Sequence, residues 1–516
     1  MDTCLAVSEG ASSAIVGELR SALHHEMQAR SSEAIASLAQ GRPLSTVGLR
    51  SVWSFSTEPG EADHIPVDTP AKLTDSSGCT TDAEVLAVGD ASVVLSLPAG
   101  FTGDDHCVLT YNARLVNERL LERLDELQRS GECDEQLLGE LIRCGGLTAD
   151  DPEGTAASEA SEPAPSVTAD PADDQALAAR RAVRPGVHFT WGPPGTGKTR
   201  VLSMAAASAV TEGHRVLVLA HENAAVDVAL EHIADELSAH HPDVLDRGVV
   251  RVGTPCHAPD ATGARFLPEQ IAGRRNRALA DRVTALTEAQ RRLNKVARLG
   301  AGNLALEAQM QQTHAELRET RFKLDNLARQ SIDDSTVVAA TLSRAVIDDR
   351  IWSLPFDVVL IDDASTAPLP IVAALVLRGA RTVSFFGDFR HLAPVAGSDH
   401  ETARRWFASD VFELAGVTQM YEQGIADPRL HTLGTQFRMG ERICSVVNEL
   451  AYDGWLRTAP PARDAAIRSA TMGICAGEEL VIVDTSDIGG ELRDRHHQGQ
   501  PVTDQPVPCP TRRIAR

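Results

Sequence analysis

The run Gly192-Pro193-Pro194-Gly195-Thr196-Gly197-Lys198-Thr199 carries the clearest chemistry in the chain. Its glycines let successive backbone N–H groups turn inward around an anion. Lys198 is then spaced to reach the β- and γ-phosphates of a nucleoside triphosphate, and the Thr199 hydroxyl to ligate Mg²⁺. A helix opening at this point aims its positive N-terminus at the same phosphates. All eight positions fit, which implies ATP with Mg²⁺ as the cofactors. Such a loop needs a second carboxylate at the end of a neighbouring strand. The segment Asp357-Val358-Val359-Leu360-Ile361-Asp362-Asp363 offers two. Asp362 would hold Mg²⁺ through water, and Asp363 would orient the water that attacks the γ-phosphate.

These groups need a rigid frame, and the surrounding pattern supplies one. Val187 to Trp191 is a short strand leading into the loop, and Thr199 to Ala209 the helix after it. Val216 to Leu219, Val249 to Val252, Thr336 to Ala340, Val358 to Ile361 and Thr382 to Phe386 are further short apolar runs rich in β-branched residues. Alternating with helical stretches, they predict an α/β fold: a parallel sheet with helices on both faces. Between the third and fourth runs, Leu279, Val283, Leu286, Leu293 and Val296 follow heptad spacing. Gly300 to Asn303 breaks the pattern, and Met310, Leu317 and Leu324 resume it. This predicts an inserted antiparallel helical stalk over about 273–331, its charges a solvated face.

Upstream, Ala11 to Gln40 reads as helical, with Ile15, Leu19, Leu23 and Met27 at four-residue spacing. Val52 to Phe55 alternates, Glu84 to Val88 and Ser92 to Leu95 read as a hairpin, and Arg114 to Leu127 returns to helix. A stretch at 145–174, rich in Ala, Ser, Pro and acidic residues, reads as a disordered linker. The expected division is 1–144, helical with a β-barrel-like part; 145–174, linker; 175–405, first ATPase lobe; 406–494, a partial second lobe; and 495–516, an aperiodic tail.

The 516 residues leave room for about three domains. A formal charge of −23 argues against a protein that coats nucleic acid non-specifically, but leaves room for one local basic channel. No run of 18 apolar residues suggests a membrane span, and the first residues lack the pattern of a signal peptide. Nine dispersed Cys without a Cys-x-x-Cys pair suggest reduced thiols and a cytoplasmic location.

Five segments occur in the order found in superfamily 1 helicases: Gly192 to Thr199; Val216 to Asp227; Asp362-Asp363-Ala364-Ser365; Gly387 to Val395; and Gln436-Phe437-Arg438-Met439. The chain resembles the subgroup that contains the nonsense-mediated-decay helicase and its DNA-acting relatives, 5′-to-3′ translocases on single strands. The resemblance spans about Gln175 to Val483. It implies a P-loop NTPase of RecA-like lobes, with an N-terminal barrel and a stalk, acting on single-stranded DNA or RNA. Carried over by position, Gln175 would read the adenine edge, Asp388 would couple the γ-phosphate to the nucleic-acid channel, and His391 would stand at the position that senses the γ-phosphate. Arg438 would contact that phosphate from the second lobe, with Gln436 beside it and Phe437 stacked on the base. Asn223 and Thr341 would touch the nucleic-acid backbone.

The chain departs from the family at several places. Asp363 stands where glutamate is usual, His391 where glutamine is usual, and Glu222 where a hydroxyl is usual. The later second-lobe motifs are missing. Leu480 to Val483 is the last strand expected, and Thr511-Arg512-Arg513 reads as tail. The second lobe is therefore expected to be incomplete, with slow ATP turnover by the chain alone. Two other readings stay open: an ATP-gated switch that binds nucleic acid or protein, and part of a split motor whose protein partner carries the missing motifs.

Overall fold

The computed structural model describes residues 11–47, 50–62, 65–89, 91–104, 106–131, 133–142, 171–255, 262–298, 304–391 and 393–460. The strand expected at 480–483, the tail, and the linker up to residue 170 lie outside them. The described chain falls into two compact units that divide between Gly434 and Thr435.

The first unit opens with helix α1 (Ala11–Ala29). The sequence pattern predicts helix on to Gln40, but the four-residue spacing of apolar side chains stops at Met27. Ala34–Val47 is instead strand β1, whose first residues pair antiparallel with a later strand. It joins β2 (Arg50–Ser56), β3 (Pro70–Asp75), β4 (Thr80–Gly89), β5 (Ser92–Pro98) and β6 (His106–Tyr111) in a closed barrel of order β1-β2-β5-β4-β3-β6. Closure leaves no free sheet edge. Alternate residues such as Phe55, Leu73, Val85, Leu95 and Leu109 fill its interior. A bulge between Val85 and Ala87 in β4 breaks the alternation, and Leu86 is buried as well. Helices α2 (Leu115–Ser130) and α3 (Glu135–Ile142) lead away from the barrel.

Helix α4 (Pro171–Arg181) begins four residues inside the stretch read as linker. Pro171 supplies the fixed φ of a first turn, and Asp173 and Asp174 complement the helix N-terminus. Strand β7 (Gly186–Trp191), helix α5 (Lys198–Thr211), strand β8 (Val216–Ala220), helix α6 (Asn223–His240) and strand β9 (Val249–Arg251) follow. The helices Arg277–Arg298 and Leu304–Asp333 form the stalk, bridged by Arg282–Glu316 and by Arg321 on Thr287. Strands β10 (Val337–Thr341), β11 (Val358–Ile361), β12 (Thr382–Gly387) and β13 (Leu430–Thr432) complete a parallel sheet of order β13-β7-β12-β11-β8-β10-β9. β11 and β12 enter late in the chain and fill the gap between β7 and β8. The loop after β7 therefore faces the ends of β12 and β11. Ligands of open parallel sheets sit at such strand ends.

The second unit starts later than expected. Residues 406–434 belong to the first unit, because their apolar side chains are needed there. Phe412 is fully buried against Phe189 and Phe389, Tyr421 meets Trp191 edge-on, and β13 extends the sheet beside β7. The second unit contains the short parallel pair β14 (Thr435–Gln436) and β15 (Arg457–Thr458) with the helix Glu441–Ala451. Truncating a buried aromatic costs about 3–5 kcal/mol. Phe412→Ala is expected to destabilise the first unit by that amount in urea unfolding followed by tryptophan fluorescence. A loss under 1 kcal/mol would mean that 406–434 are not part of that core.

Candidate active site

The phosphate loop is the turn between β7 and α5. Gly195 and Gly197 have φ of +84° and +89°, a region open to glycine and strained for other residues. A side chain at Gly192 would strike the Thr196 hydroxyl, and one at Gly197 the Gln175 amide. Thr196 Oγ1 donates to the Pro193 carbonyl at 2.8 Å, and Gln175 Nε2 donates to the Thr196 carbonyl at 2.9 Å. Gln175 is thus buried under the loop, on α4, bracing its backbone. Lys198 Nζ lies across the loop, donating to the carbonyls of Gly192 at 2.6 Å and Pro193 at 3.4 Å.

Thr199 Oγ1 donates to Asp362 Oδ2 at 2.9 Å. Asp362 directly follows β11 and is 4% exposed. Burial, reinforced by the adjacent Asp363, pushes its carboxyl up to about 6, although Thr199 and Lys198 pull the other way. Asp363 is exposed and in the left-handed region, at φ +47°, and its N–H donates to Asp362 Oδ1 at 3.1 Å. Asp363 is thus in solvent, yet near enough for its charge to act on Asp362.

Asp388 follows β12 and is buried. Its Oδ1 accepts from the indole Nε1 of Trp191 at 2.9 Å and from the Arg390 N–H at 3.0 Å. Trp191 stacks on Phe389 with ring centroids 4.4 Å apart. Since Trp191 is the last residue of β7, it ties Asp388 to the start of the phosphate loop. His391 is exposed, and its N–H donates to the Asp388 carbonyl.

Asn223 and Thr341, expected on a nucleic-acid surface, are instead wholly buried. Both bond to Asp68 of the barrel, and Asn223 also donates to the Leu86 carbonyl. Gln436, Phe437 and Arg438 lie in the second unit. Gln436 is buried and braces its own turn: Oε1 accepts from the Arg438 and Met439 N–H groups, and Nε2 donates to Met439 and Thr458. Phe437 and Arg438 are exposed. The positioning roles of Trp191 and Asp68 escaped sequence reasoning. Trp191 at least abuts the loop, whereas Asp68 lies far away in sequence and carries no local signal.

A loop too tight for Cβ atoms and a hydroxyl beside a buried carboxylate fit a nucleoside triphosphate with a divalent cation. Comparison with known proteins agrees. Residues 170–399 match the family model of an AAA domain. The rat DNA-binding protein SMUBP-2 is 27% identical over 65% of this chain and 33% of its own length. An uncharacterised ATP-dependent helicase of Methanocaldococcus jannaschii is 24% identical over 62% of this chain and 50% of its own. The chain thus matches a third to a half of the length of these relatives. Among solved structures, an arterivirus nonstructural protein 10 helicase with DNA gives a TM-score of 0.30 at 10% identity, covering 86% of this chain and 61% of that one. Residues 170–399 thus form a nucleotide-binding AAA domain, and over about 60% of its length the chain is similar to a DNA-binding protein and to an ATP-dependent helicase.

The raised Asp362 pKa has a consequence for stability. An acid whose pKa is higher folded than unfolded favours the fold below its unfolded value, and that benefit is lost as pH rises through the folded value. At one pKa unit per ~1.4 kcal/mol, ionised Asp362 costs the free protein on the order of 3 kcal/mol at neutral pH. Asp362→Asn is therefore expected to stabilise the nucleotide-free chain in urea unfolding at pH 8, with the gain fading between pH 6 and 4. A destabilised variant at pH 8 would contradict this electrostatic picture.

Proposed function

We propose that the chain is an ATP-hydrolysing motor that binds ATP with Mg²⁺ and acts on single-stranded DNA or RNA. The observation that carries the reading is the Thr199–Asp362 contact at the mouth of the loop that holds Lys198. Backbone N–H groups of 195–199 would cradle the phosphates. Lys198 would leave the Gly192 and Pro193 carbonyls for the β- and γ-phosphates. Thr199 and Asp362 would hold Mg²⁺, which neutralises charge on the transferring phosphoryl group. Asp363 would orient the attacking water, and Asp388, tied to Trp191, would relay the state of the γ-phosphate.

Asp363 favours slow turnover, since aspartate reaches one methylene less far than the family's usual glutamate. Catalysis of this class is mostly positioning, so such a change is worth an order of magnitude or more. Steady-state ATPase of the purified chain, with and without oligothymidylate or oligouridylate, tests the reading. Turnover that rises with single strands and disappears in Lys198→Ala is the expected outcome. Turnover insensitive to Lys198→Ala, or absent altogether, would reject it. Asp363→Glu is expected to speed hydrolysis. A slower variant would show that the turn at φ +47° is built around aspartate.

A further inference from the structure

Strands β8 and β10 are parallel neighbours, and Ala220 and Thr341 at their ends pair in register. Beyond those ends stands a set of donors: the Asn223 amide, the Thr341 hydroxyl and the Arg344 guanidinium. The set is held in place from behind. Arg251, fully buried, donates Nη2 to Asn223 Oδ1 at 2.5 Å and Nε to Asp227 Oδ1 at 3.1 Å. This leaves Asn223 only its N–H groups to present. Thr341 Oγ1 accepts from the Arg344 N–H at 3.2 Å, which turns its own proton outward.

An anion from the barrel sits in this set. Asp68, 0% exposed, lies just before β3. Its Oδ1 accepts from Asn223 Nδ2 at 2.9 Å and lies 3.6 Å from Arg344 Nη2, while its Oδ2 accepts from Thr341. Glu84 of β4 takes the other side of the contact, pairing with Arg344 and accepting from Thr254 at 3.0 Å.

Asp68 adopts φ +60° in the turn that precedes β3, a left-handed conformation that aspartate tolerates in turns. A buried carboxylate loses its hydration, so an apolar contact of the same size would join the domains at least as firmly. The donors, by contrast, match the two oxygens of a phosphodiester as well as they match a carboxylate.

We propose that Asp68 is a tethered stand-in for a backbone phosphate, and that the barrel docked through it keeps the strand-binding end of the sheet closed until a single strand displaces it. The proposal rests on the motor reading above and adds regulation to it. An acidic loop covering the donors also accounts for two expected strand contacts, Asn223 and Thr341, being out of solvent.

The test is binding of labelled oligothymidylate and oligouridylate to the full chain by fluorescence anisotropy over a salt series. Asp68→Asn keeps the shape of the side chain and tolerates the backbone, but removes the charge. It is expected to bind single strands on the order of tenfold tighter, a gain of about 1.4 kcal/mol. Glu84→Gln, which loosens Arg344 from the barrel side, should shift affinity the same way by a smaller factor. In the unaltered chain, saturating oligonucleotide should speed amide hydrogen exchange at 65–69 and 84–86. Equal or weaker binding by a folded Asp68→Asn variant would overturn the latch and leave the motor reading standing. If that variant does not fold, unchanged exchange in the unaltered chain with strand bound would overturn the latch by itself. Absence of strand binding by both chains at every salt concentration would overturn the motor reading, and the latch with it.

Discussion

The Thr199 hydroxyl donates to a carboxylate that is almost wholly withdrawn from water. The first unit is arranged so that this contact can exist. Thr199 lies in the first turn of α5 and Asp362 at the end of β11, 163 residues further along the chain. Only a sheet in which β11 and β12 slot between β7 and β8 brings them together. The in-register pairing of Ile361 with Leu219 and Phe385 sets the depth of Asp362, and that of Gly387 with Trp191 sets the depth of Asp388. Burial then raises the Asp362 carboxyl, so the fold carries an electrostatic cost at the place where a cation would relieve it.

Around that contact, neighbouring side chains hold the site in shape. Gln175 braces the phosphate loop from α4, and Trp191 holds Asp388 from β7. The aromatic group of Phe189, Trp191, Phe389, Phe412 and Tyr421 packs beneath the strand ends. It recruits residues 406–434 into the first unit. On the far side of β11, the ends of β8 and β10 are covered by the barrel through Asp68. One row of strand ends thus carries a polar site at one end and a domain junction at the other.

Much of this was legible in the sequence because it is local. The phosphate loop declares itself in eight consecutive residues, and short β-branched runs mark the parallel strands. The heptads of the stalk and the alternation of the barrel hairpin are equally short-range. What escaped depends on partners distant in sequence. Local pattern carries α1 on to Gln40, because Ala34 to Leu38 becomes a strand only through pairing with β6. Sequence pattern alone ends the first unit near residue 405, because Phe412 owes its place to Phe189, more than two hundred residues upstream. Asn223 and Thr341 looked like surface donors, since nothing near either foretells Asp68. Gln175 and Gln436 each use the side-chain amide on backbone that shapes a loop, a role with no local sequence signal.

On the proposed function, backbone N–H groups of 195–199 close around the phosphates of ATP beside Lys198 and Thr199. Amide hydrogen exchange of that segment measures it directly, in the free chain, with Mg²⁺ alone, and with ATP and Mg²⁺ together. Marked slowing at 195–199 is expected only when nucleotide is present. Exchange at 195–199 that is unchanged by saturating ATP and Mg²⁺ would contradict it.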